Sequence, residues 1–425
     1  MDDGQKTGPW ERASSGEGAP EPPAEPAAAP EPPGLGTTFH GNRRGVFGLA
    51  LRTGVLTVLT LGIYRFWMKT RLRRWYWSAI RVGGHPLEYV GDPMEKLLGF
   101  LIAVVILAFY IGVVNLLLMF ASFSLFQGNS FAYGLSFLGV IPLWFYAQYR
   151  ARRYVLARTR WRGMRFGLEP GAWGYAGRAL VHWLITIVSA GLLWPRMTFA
   201  LEKYKTDRTW FGDARMVQGG RWQMLYPAMK WLFIAGGLGA VGAGVFYAGN
   251  IPLGTGIAVL AGLVGLYGLA YYRVETLRRL TGAKTLEGAG LRLKASPFRV
   301  LMIHVLGYVL SGLAIFALVT SVVLIGVLLI GADVTLHFDA GAGMETLGNA
   351  SRYALIALSV VIYFSVFLLW SALTHALITL PVTRHYALGL AVTSPGALVS
   401  VRQRPRDEHT EAEGFAEALD VGASI

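Results

Sequence analysis

The chain has 425 residues, of which 54% are hydrophobic and only 15% are charged, and its formal net charge is +14. A soluble domain carries roughly a quarter charged residues, so this composition excludes an ordinary soluble protein. The absence of cysteine excludes disulfides, thiol catalysis and cysteine-ligated metals. Residues 97–148, 231–272 and 300–351 contain no lysine or arginine, as segments inside a bilayer require. We therefore expect a polytopic membrane protein.

Composition divides the chain into four regions. Residues 1–38 are polar and rich in proline, and we expect a disordered cytoplasmic tail because they offer few large apolar side chains to bury. Residues 402–425 are polar and acidic and predict a second disordered cytoplasmic tail. Between the tails, residues 39–226 form a first membrane half with repeated units of a shallow helix and a basic segment. Residues 227–401 form a second membrane half.

Eight apolar segments follow one another between the tails and predict helices. They are residues 46–63, 97–122, 131–149, 173–194, 227–248, 251–272, 299–330 and 353–380. Most of them reach the length of about 20 residues that a membrane crossing needs. The first and the fourth differ because each contains an arginine, Arg52 and Arg178. Both arginines lie near a helix start, from which a long side chain can reach the headgroups.

The basic residues indicate the topology. They concentrate in segments 67–96, 149–172, 195–230 and 273–299, whereas the connectors 123–130, 249–250 and 331–351 contain none. Because basic residues beside spans stay in the cytoplasm, the pattern favours an all-α polytopic membrane protein with six full transmembrane helices. Helices 46–63 and 173–194 would then be shallow or re-entrant, and short cytoplasmic strands would join the basic segments. The alternative is eight full spans, and both termini are cytoplasmic in either case.

The two short helices resemble each other. Residues 45–48 and 171–174 share the pattern Gly-x-aromatic-Gly, followed four residues later by arginine, at an offset of 126. Each helix ends near a glycine that can adopt positive φ and cap it. The predicted helix-capping residues are Gly62, Tyr64, Trp67 and Gly191. We interpret these similarities as an internal repeat.

Arginine and aromatic residues occur together in the first two basic segments, and both suit the headgroup zone of a membrane. We predict contacts with lipids, in particular with anionic headgroups, although the same residues also serve as a topology signal. Nucleic acid is not an expected partner, because no recognition motif accompanies the charge. The predicted headgroup or interface residues are Arg71, Arg73, Arg74, Trp75, Arg150, Arg152, Arg153 and Tyr154.

Residues that could carry catalysis or bind metal are few. His182, His304 and His375 lie in apolar segments, but no carboxylate accompanies them there. Backbone or water contacts are therefore a simpler role for these histidines than a metal site or a proton path. Asp92 directly precedes Pro93 and is expected to cap a helix. The sequence thus predicts no cofactor, no metal and no enzyme.

The start of the membrane region resembles the YjgN-like family of bacterial inner-membrane proteins, whose domain has no known function. The resemblance rests on Phe39-His40-Gly41, on Thr60-Leu61-Gly62-Ile63-Tyr64, on the basic run 71–76 and on residues 83–89. Two positions depart from the family pattern, Phe66 in place of a proline and Thr53 in place of an asparagine. The resemblance implies a bacterial inner-membrane location and no assigned activity.

The function that we predict from the sequence is a non-enzymatic inner-membrane protein that is transporter-like or interacts with lipids. The repeated units and the basic, aromatic segments motivate this prediction. The alternative is a scaffold or partner subunit for another membrane protein. The proline-rich tail and small-residue helix faces would serve such a role.

Overall fold

The computed structural model describes residues 34–126, 140–330 and 349–404. Helices dominate these residues. The helices are α1 Arg43–Leu59, α2 Arg65–Ala79, α3 Pro93–Phe126, α4 Val140–Ala157, α5 Ala172–Val188, α6 Trp194–Thr206, α7 Lys230–Tyr247, α8 Ile251–Gly282, α9 Pro297–Ile330, α10 Asn349–Leu373 and α11 Leu380–Gly389. A 3-10 helix, Trp222–Met229, leads into α7, and a π-helical segment, Thr374–Thr379, joins α10 to α11.

Ten short strands close into an antiparallel barrel in the order β1-β10-β9-β8-β7-β6-β5-β4-β3-β2. The strands are β1 Leu35–Phe39, β2 Ile80–Val82, β3 His85–Tyr89, β4 Thr159–Trp161, β5 Met164–Leu168, β6 Thr209–Phe211, β7 Ala214–Gln218, β8 Lys284–Leu286, β9 Ala289–Leu293 and β10 Leu390–Thr393. The first and last strands pair with each other, with Leu35 opposite Val392. A closed ring leaves no strand edge exposed.

Two-residue turns join β2 to β3, β4 to β5, β6 to β7 and β8 to β9. Three of these turns have positive φ at both positions, namely 83–84, 162–163 and 287–288, and the turn at 212–213 has it at Gly212. Such turns have the twist that antiparallel hairpins require, and glycine adopts them without a Cβ clash.

Five times along the chain, a long strand is followed by helices and then by a short strand that pairs with the long one. One hydrogen bond recurs in all five units. In each, the residue after the long strand donates its backbone N–H to the carbonyl of the residue before the short strand. The bonds join His40 to Ala79, Val90 to Arg158, Glu169 to Arg208, Gly219 to Ala283 and Lys294 to Gly389, with N···O distances of 2.8, 2.9, 3.0, 2.8 and 2.8 Å. The barrel is thus a ring of five units with similar architecture.

Apolar side chains fill the barrel. Val82, Trp161, Phe211 and Val392 point inward from four strands and form a buried cluster. The segment after β10 completes the cluster, since Leu398 packs into it from the short 3-10 helix Pro395–Leu398. The core of the protein outside its helices therefore lies inside the barrel.

This architecture corrects the predicted fold class. An all-α protein with six full spans and two shallow helices is wrong, because ten strands form a closed barrel. Among the described residues, four helices are long and apolar enough to cross a membrane. They are Trp222–Tyr247, Ile251–Gly282, Pro297–Ile325 and Ile356–Gly389. Short strands were expected, but strands of three to five residues carry too little periodicity to predict that they would pair into a ring.

The predicted boundaries change in two places. Residues 35–38, assigned to the first tail, belong to β1, while residues 1–33 lie outside the described residues. At the other end, the Asp213 N–H donates to Arg402 O and the Arg402 N–H donates to Asp213 Oδ1, so residue 402, assigned to the second tail, contacts the barrel. Residues 405–425 lie outside the described part of the chain. Strands β2–β7 come from the predicted first half and β8–β10 from the second, so the barrel joins the two halves.

Candidate membrane-interface site

The turn between α1 and α2 presents an apolar tip. Its backbone reverses through Leu61 and Gly62, which both have positive φ, +51° and +94°. The Gly62 N–H donates to Thr57 O at 2.7 Å, the bond that closes a Schellman cap. This geometry directs the Leu61 side chain outward, where it is 95% exposed, and Leu59 and Ile63 beside it are also exposed. Gly62 therefore caps α1 through its backbone N–H, and this cap shapes the turn that carries the apolar tip.

The turn between α5 and α6 has the same geometry. Ala190 and Gly191 have positive φ, and the Gly191 N–H donates to Thr186 O at 2.8 Å. Gly191 lies 129 residues after Gly62, and α5 begins and ends 129 residues after α1. The offset of 126 predicted from residues 45–48 and 171–174 is therefore wrong by nearly one helical turn. The tip is again apolar, and Val188 is 80% exposed.

Aromatic rings and a guanidinium stack beside the first tip. The Tyr64 and Trp67 rings lie 5.9 Å apart with planes 16° from parallel. The Arg71 guanidinium carbon lies 5.6 Å from the centroid of the Tyr64 ring. The structure thus brings together four predicted site residues, Gly62, Tyr64, Trp67 and Arg71. An apolar tip beside an arginine and aromatic rings matches the chemistry of the headgroup zone.

The other residues predicted for the first basic segment make contacts within the protein. Arg73 is only 6% exposed, and its Nη1 donates to the Tyr89 hydroxyl at 3.4 Å. Arg74 Nη2 donates to Gly91 O at 2.8 Å. Trp75 is half-buried against Tyr76, with ring centroids 5.1 Å apart. Arg73 is therefore buried against the barrel, whereas Arg74 remains exposed and Trp75 is half-buried. Contact of these residues with lipid headgroups stays a prediction.

The second basic segment divides in the same way. Arg150 donates to the Tyr146 hydroxyl at 3.0 Å, and the Tyr146 ring lies 4.7 Å from that of the exposed Trp173. This group forms a second arginine–aromatic surface. Tyr154 is buried, and its hydroxyl donates to Asp92 O at 3.4 Å. Arg153 is half-buried.

Arg152 belongs to an ionic cluster that the sequence did not predict. Its Nη2 lies 3.6 Å from Glu202 Oε1, and the same carboxylate binds Lys284 Nζ at 2.7 Å and Lys205 Nζ at 2.9 Å. Burial would raise the pKa of the Glu202 carboxyl, but Lys205, Arg152 and Lys284 together hold that pKa well below its usual value. Burial lowers the pKa of the Lys284 ammonium, and Glu202 opposes this change. Three cations from α4, α6 and β8 thus share one carboxylate.

The histidines in apolar helices do not form a site. The ring nitrogens of His182 and His304 lie 2.8 Å from the carbonyls four residues earlier, Arg178 O and Val300 O. The His375 carbonyl accepts from the Tyr76 hydroxyl at 3.1 Å. In the part of the chain that the structure describes, no group of three or more His, Asp or Glu residues could hold a metal ion. His182 and His304 therefore interact within their own helices, whereas the His375 backbone contacts Tyr76 of α2.

The predicted cap of α3 is confirmed. Asp92 Oδ1 accepts from the Met94 N–H at 3.2 Å, directly before the helix that begins at Pro93. Asp207 accepts from the Gln218 N–H at 2.8 Å and pairs with Lys203. Both acids therefore have structural partners.

A family comparison agrees with the sequence motif that begins in β1. The family model described as a bacterial protein of unknown function, DUF898, matches residues 35–311. The chain belongs to this family. The resemblance to the YjgN-like family is thereby confirmed, because that family is DUF898. The match starts at the first residue of β1 in this DUF898 chain and ends within α9. No curated protein and no solved structure matches the chain.

Proposed function

We propose that this DUF898 protein is an integral protein of the bacterial inner membrane that interacts with anionic lipids. The observation that carries the proposal is the apolar tip at Leu61 beside the stack of Trp67, Tyr64 and Arg71. An exposed leucine tip is unfavourable in water but favourable in hydrocarbon, and a guanidinium over an aromatic ring suits the anionic boundary. The second tip at Val188 repeats the apolar part of this arrangement.

Both termini are proposed to be cytoplasmic, on the same side as the barrel. The first strand and the last strand pair with each other, so residues 35 and 392, near the two ends of the described chain, lie together. Basic residues concentrate in the segments that enter and leave the barrel, and such residues stay in the cytoplasm. The opposite ends of α7 and α8 would then face the periplasm.

Thiol labelling tests this orientation without background, because the chain contains no cysteine. Tyr247 is exposed at the end of α7 remote from the barrel, and His85 is exposed at a barrel turn. We expect Tyr247→Cys to react with an impermeant maleimide in spheroplasts, and His85→Cys to react only after the membrane is opened. The reverse pattern would place the barrel outside and contradict the proposal.

Lipid contact at the tip can be measured in the same way. An environment-sensitive fluorophore on Leu61→Cys should be quenched by nitroxide lipids in proteoliposomes, whereas one on His85→Cys should be quenched by aqueous iodide. We expect Arg71→Gln to weaken the preference of the purified protein for phosphatidylglycerol over phosphatidylcholine. Quenching of the Leu61 probe by iodide alone would refute lipid contact. A stably co-purifying protein that shields the probe from both quenchers would favour the alternative role of a scaffold.

We favour lipid interaction over solute passage through the barrel. Val82, Trp161 and Phe211 fill its interior, and Leu398 packs on them. We also propose that the protein is not an enzyme. The acids Asp92, Asp207 and Asp213 each accept a hydrogen bond from a backbone N–H.

We further propose that the five units arose by duplication. Support comes from the recurring hydrogen bond after each long strand and from the matched turns at Gly62 and Gly191. A profile built from one unit should detect the other units in related sequences. Failure to detect any of them would leave convergence on a common architecture as the better explanation.

A further inference from the structure

A cleft of about 560 Å³ opens on the outer surface of the barrel, where α8 ends and α9 begins. Four cationic side chains line it, Arg278, Arg292, Lys294 and Arg299, and His385 of α11 lies among the lining residues. No acidic residue contributes to this lining within the described chain. We refer to these five residues as the basic cleft.

The backbone explains why the cations converge. Arg292 and Lys294 are two positions apart at the end of β9, so both point away from the barrel core, while Leu293 between them is buried. Arg299 lies in the first turn of α9, and Arg278 lies near the last turn of α8. A strand end and two helix ends therefore direct four cations into one cleft.

Three of these cations have no acidic partner among the described residues. Arg278 binds Glu275 at 2.8 Å, but no ion pair joins Arg292, Lys294 or Arg299 to a carboxylate in the part of the chain that the structure describes. Like charges held close together repel one another, and an anion between them relieves this repulsion. The cleft thus has the electrostatics of an anion-binding site.

The five-unit ring supplies an internal comparison. The strand position of Arg292 is occupied by Thr38, Glu88, Gly167 and Val217 in the other four long strands. The position after the strand, Lys294 here, is His40, Val90, Glu169 and Gly219 elsewhere. If these cations served only to keep their segment in the cytoplasm, we would expect lysine or arginine at the same positions of the other units as well. The concentration of charge is therefore a property of this cleft.

His385 adds a neutral hydrogen-bond donor. The Ser296 N–H donates to His385 Nε2 at 2.9 Å, so Nε2 is the acceptor and the imidazole proton resides on Nδ1. An anion with several oxygens can accept hydrogen bonds from two guanidinium groups that have no acidic partner, from one ammonium group and from the imidazole N–H. Arginine forks bind phosphate oxygens in pairs, and lysine supplies a point charge. The cleft volume exceeds that of one phosphate and allows for a substituent on it.

We propose that the basic cleft binds a phosphate ester. The group is either the headgroup of an anionic phospholipid or a soluble phosphate ester, and only the lipid source rests on the proposed membrane function. Phe298, next to Arg299 in the first turn of α9, is 60% exposed and is available to contact the acyl region of a bound lipid. The chemistry at the cations is the same for both sources.

Binding to the purified full-length protein in uncharged detergent tests the proposal. The probes are glycerol phosphate as the soluble ester, and phosphatidylglycerol against phosphatidylcholine of equal chain length as the lipids. We expect the triple variant Arg292→Gln, Lys294→Gln, Arg299→Gln to lose at least about tenfold in affinity for the phosphate ester that binds wild type. The matched control Arg43→Gln, Arg44→Gln, Arg81→Gln removes three exposed cations elsewhere and should change affinity less than about twofold.

Competition between the probes identifies the source. Displacement of phosphatidylglycerol by glycerol phosphate indicates that the phosphate group suffices, whereas tight lipid binding without displacement indicates a membrane lipid. Wild type that binds neither probe, or equal losses in the triple variant and its control, would overturn the proposal. If the triple variant does not fold, Arg299→Lys replaces one fork with a point charge and should still weaken binding measurably; unchanged affinity would count against the cleft.

The probe on Leu61→Cys separates this result from the proposed function. A variant that loses phosphate binding while its tip remains quenched by lipid supports the cleft and the membrane contact independently. Loss of lipid quenching with intact phosphate binding would refute the membrane proposal and leave the cleft as a site for soluble esters.

Discussion

Removal of the Glu202 carboxylate should destabilise the protein strongly, because it leaves the Lys284 ammonium buried without its anion. Lys284 is 8% exposed and lies 2.7 Å from Glu202. Breaking a buried pair on one side costs about 3–5 kcal/mol. Arg152 is more exposed, and its contact with Glu202 is longer, so it should add no more than about 1 kcal/mol. We expect Glu202→Gln to lower the free energy of unfolding by about 3–5 kcal/mol.

Thermal unfolding in detergent, followed by tryptophan fluorescence, measures this effect. In mid-sized domains a loss of 1 kcal/mol in stability lowers the unfolding temperature by at least about 2 °C. The unfolding temperature of Glu202→Gln should therefore fall by about 6–10 °C. The double variant Glu202→Gln, Lys284→Met should recover most of the loss, because it removes the isolated charge as well. A decrease of less than about 2 °C, or a double variant no more stable than the single one, would refute this reasoning.

The pH dependence gives a second check on Glu202. Its folded-state pKa is lowered, so its contribution is fully present above the unfolded value of about 4.3 and is lost as the pH falls through the folded value. The difference in unfolding temperature between wild type and Glu202→Gln should therefore be constant from neutral pH to about pH 5 and shrink only below about pH 4. A difference that disappears at neutral pH would contradict the ion-pair explanation.

Three further predictions concern the turns and the barrel. Gly62→Ala should destabilise by about 1 kcal/mol because Gly62 has φ +94°, whereas Gly48→Ala, with open space around it in α1, should be neutral or stabilising; equal Tm shifts would contradict this. Trp161→Ala should cost about 3–5 kcal/mol in the filled barrel, and chemical denaturation should show a correspondingly lower midpoint rather than an unchanged one. A chain that stops after Ser394 lacks Leu398, so it should bind a hydrophobic dye more strongly than the full chain; equal dye binding would show that this segment does not cover the core.

The sequence predicted features that depend on neighbouring residues. The glycine caps of the two tips, the cap at Asp92 and the short strand near Tyr89 are readable because each depends on a few adjacent side chains. The barrel depends on pairings between distant segments. Strand β1 shows only Phe39 and a following glycine motif, and nothing local identifies β10 as its partner. Non-local pairing of three- to five-residue strands leaves no periodic signal.

The candidate site was predictable to a similar extent. The spacing of Glu202 and Lys205 indicates a pair on one helix face, but Arg152 and Lys284 reach the same carboxylate from other units. Residue type also failed to separate Arg71, which stacks beside the exposed tip, from Arg73, which is buried under Tyr89. Which of the two arginines is exposed depends on the packing of α2 against the barrel, and the neighbouring residues in the sequence do not show that packing.

The pairing of β1 with β10 has a consequence for biosynthesis. Because translation proceeds from the N-terminus, the first strand is made early but must wait for nearly the whole chain before its second neighbour exists. Until then the growing arc of strands has two open edges, and open edges invite pairing with other chains. Completion of the ring removes both edges in a single event. A nascent chain interrupted before residue 390 would therefore be recognisable to quality control by its unpaired edges, whatever the state of its membrane helices.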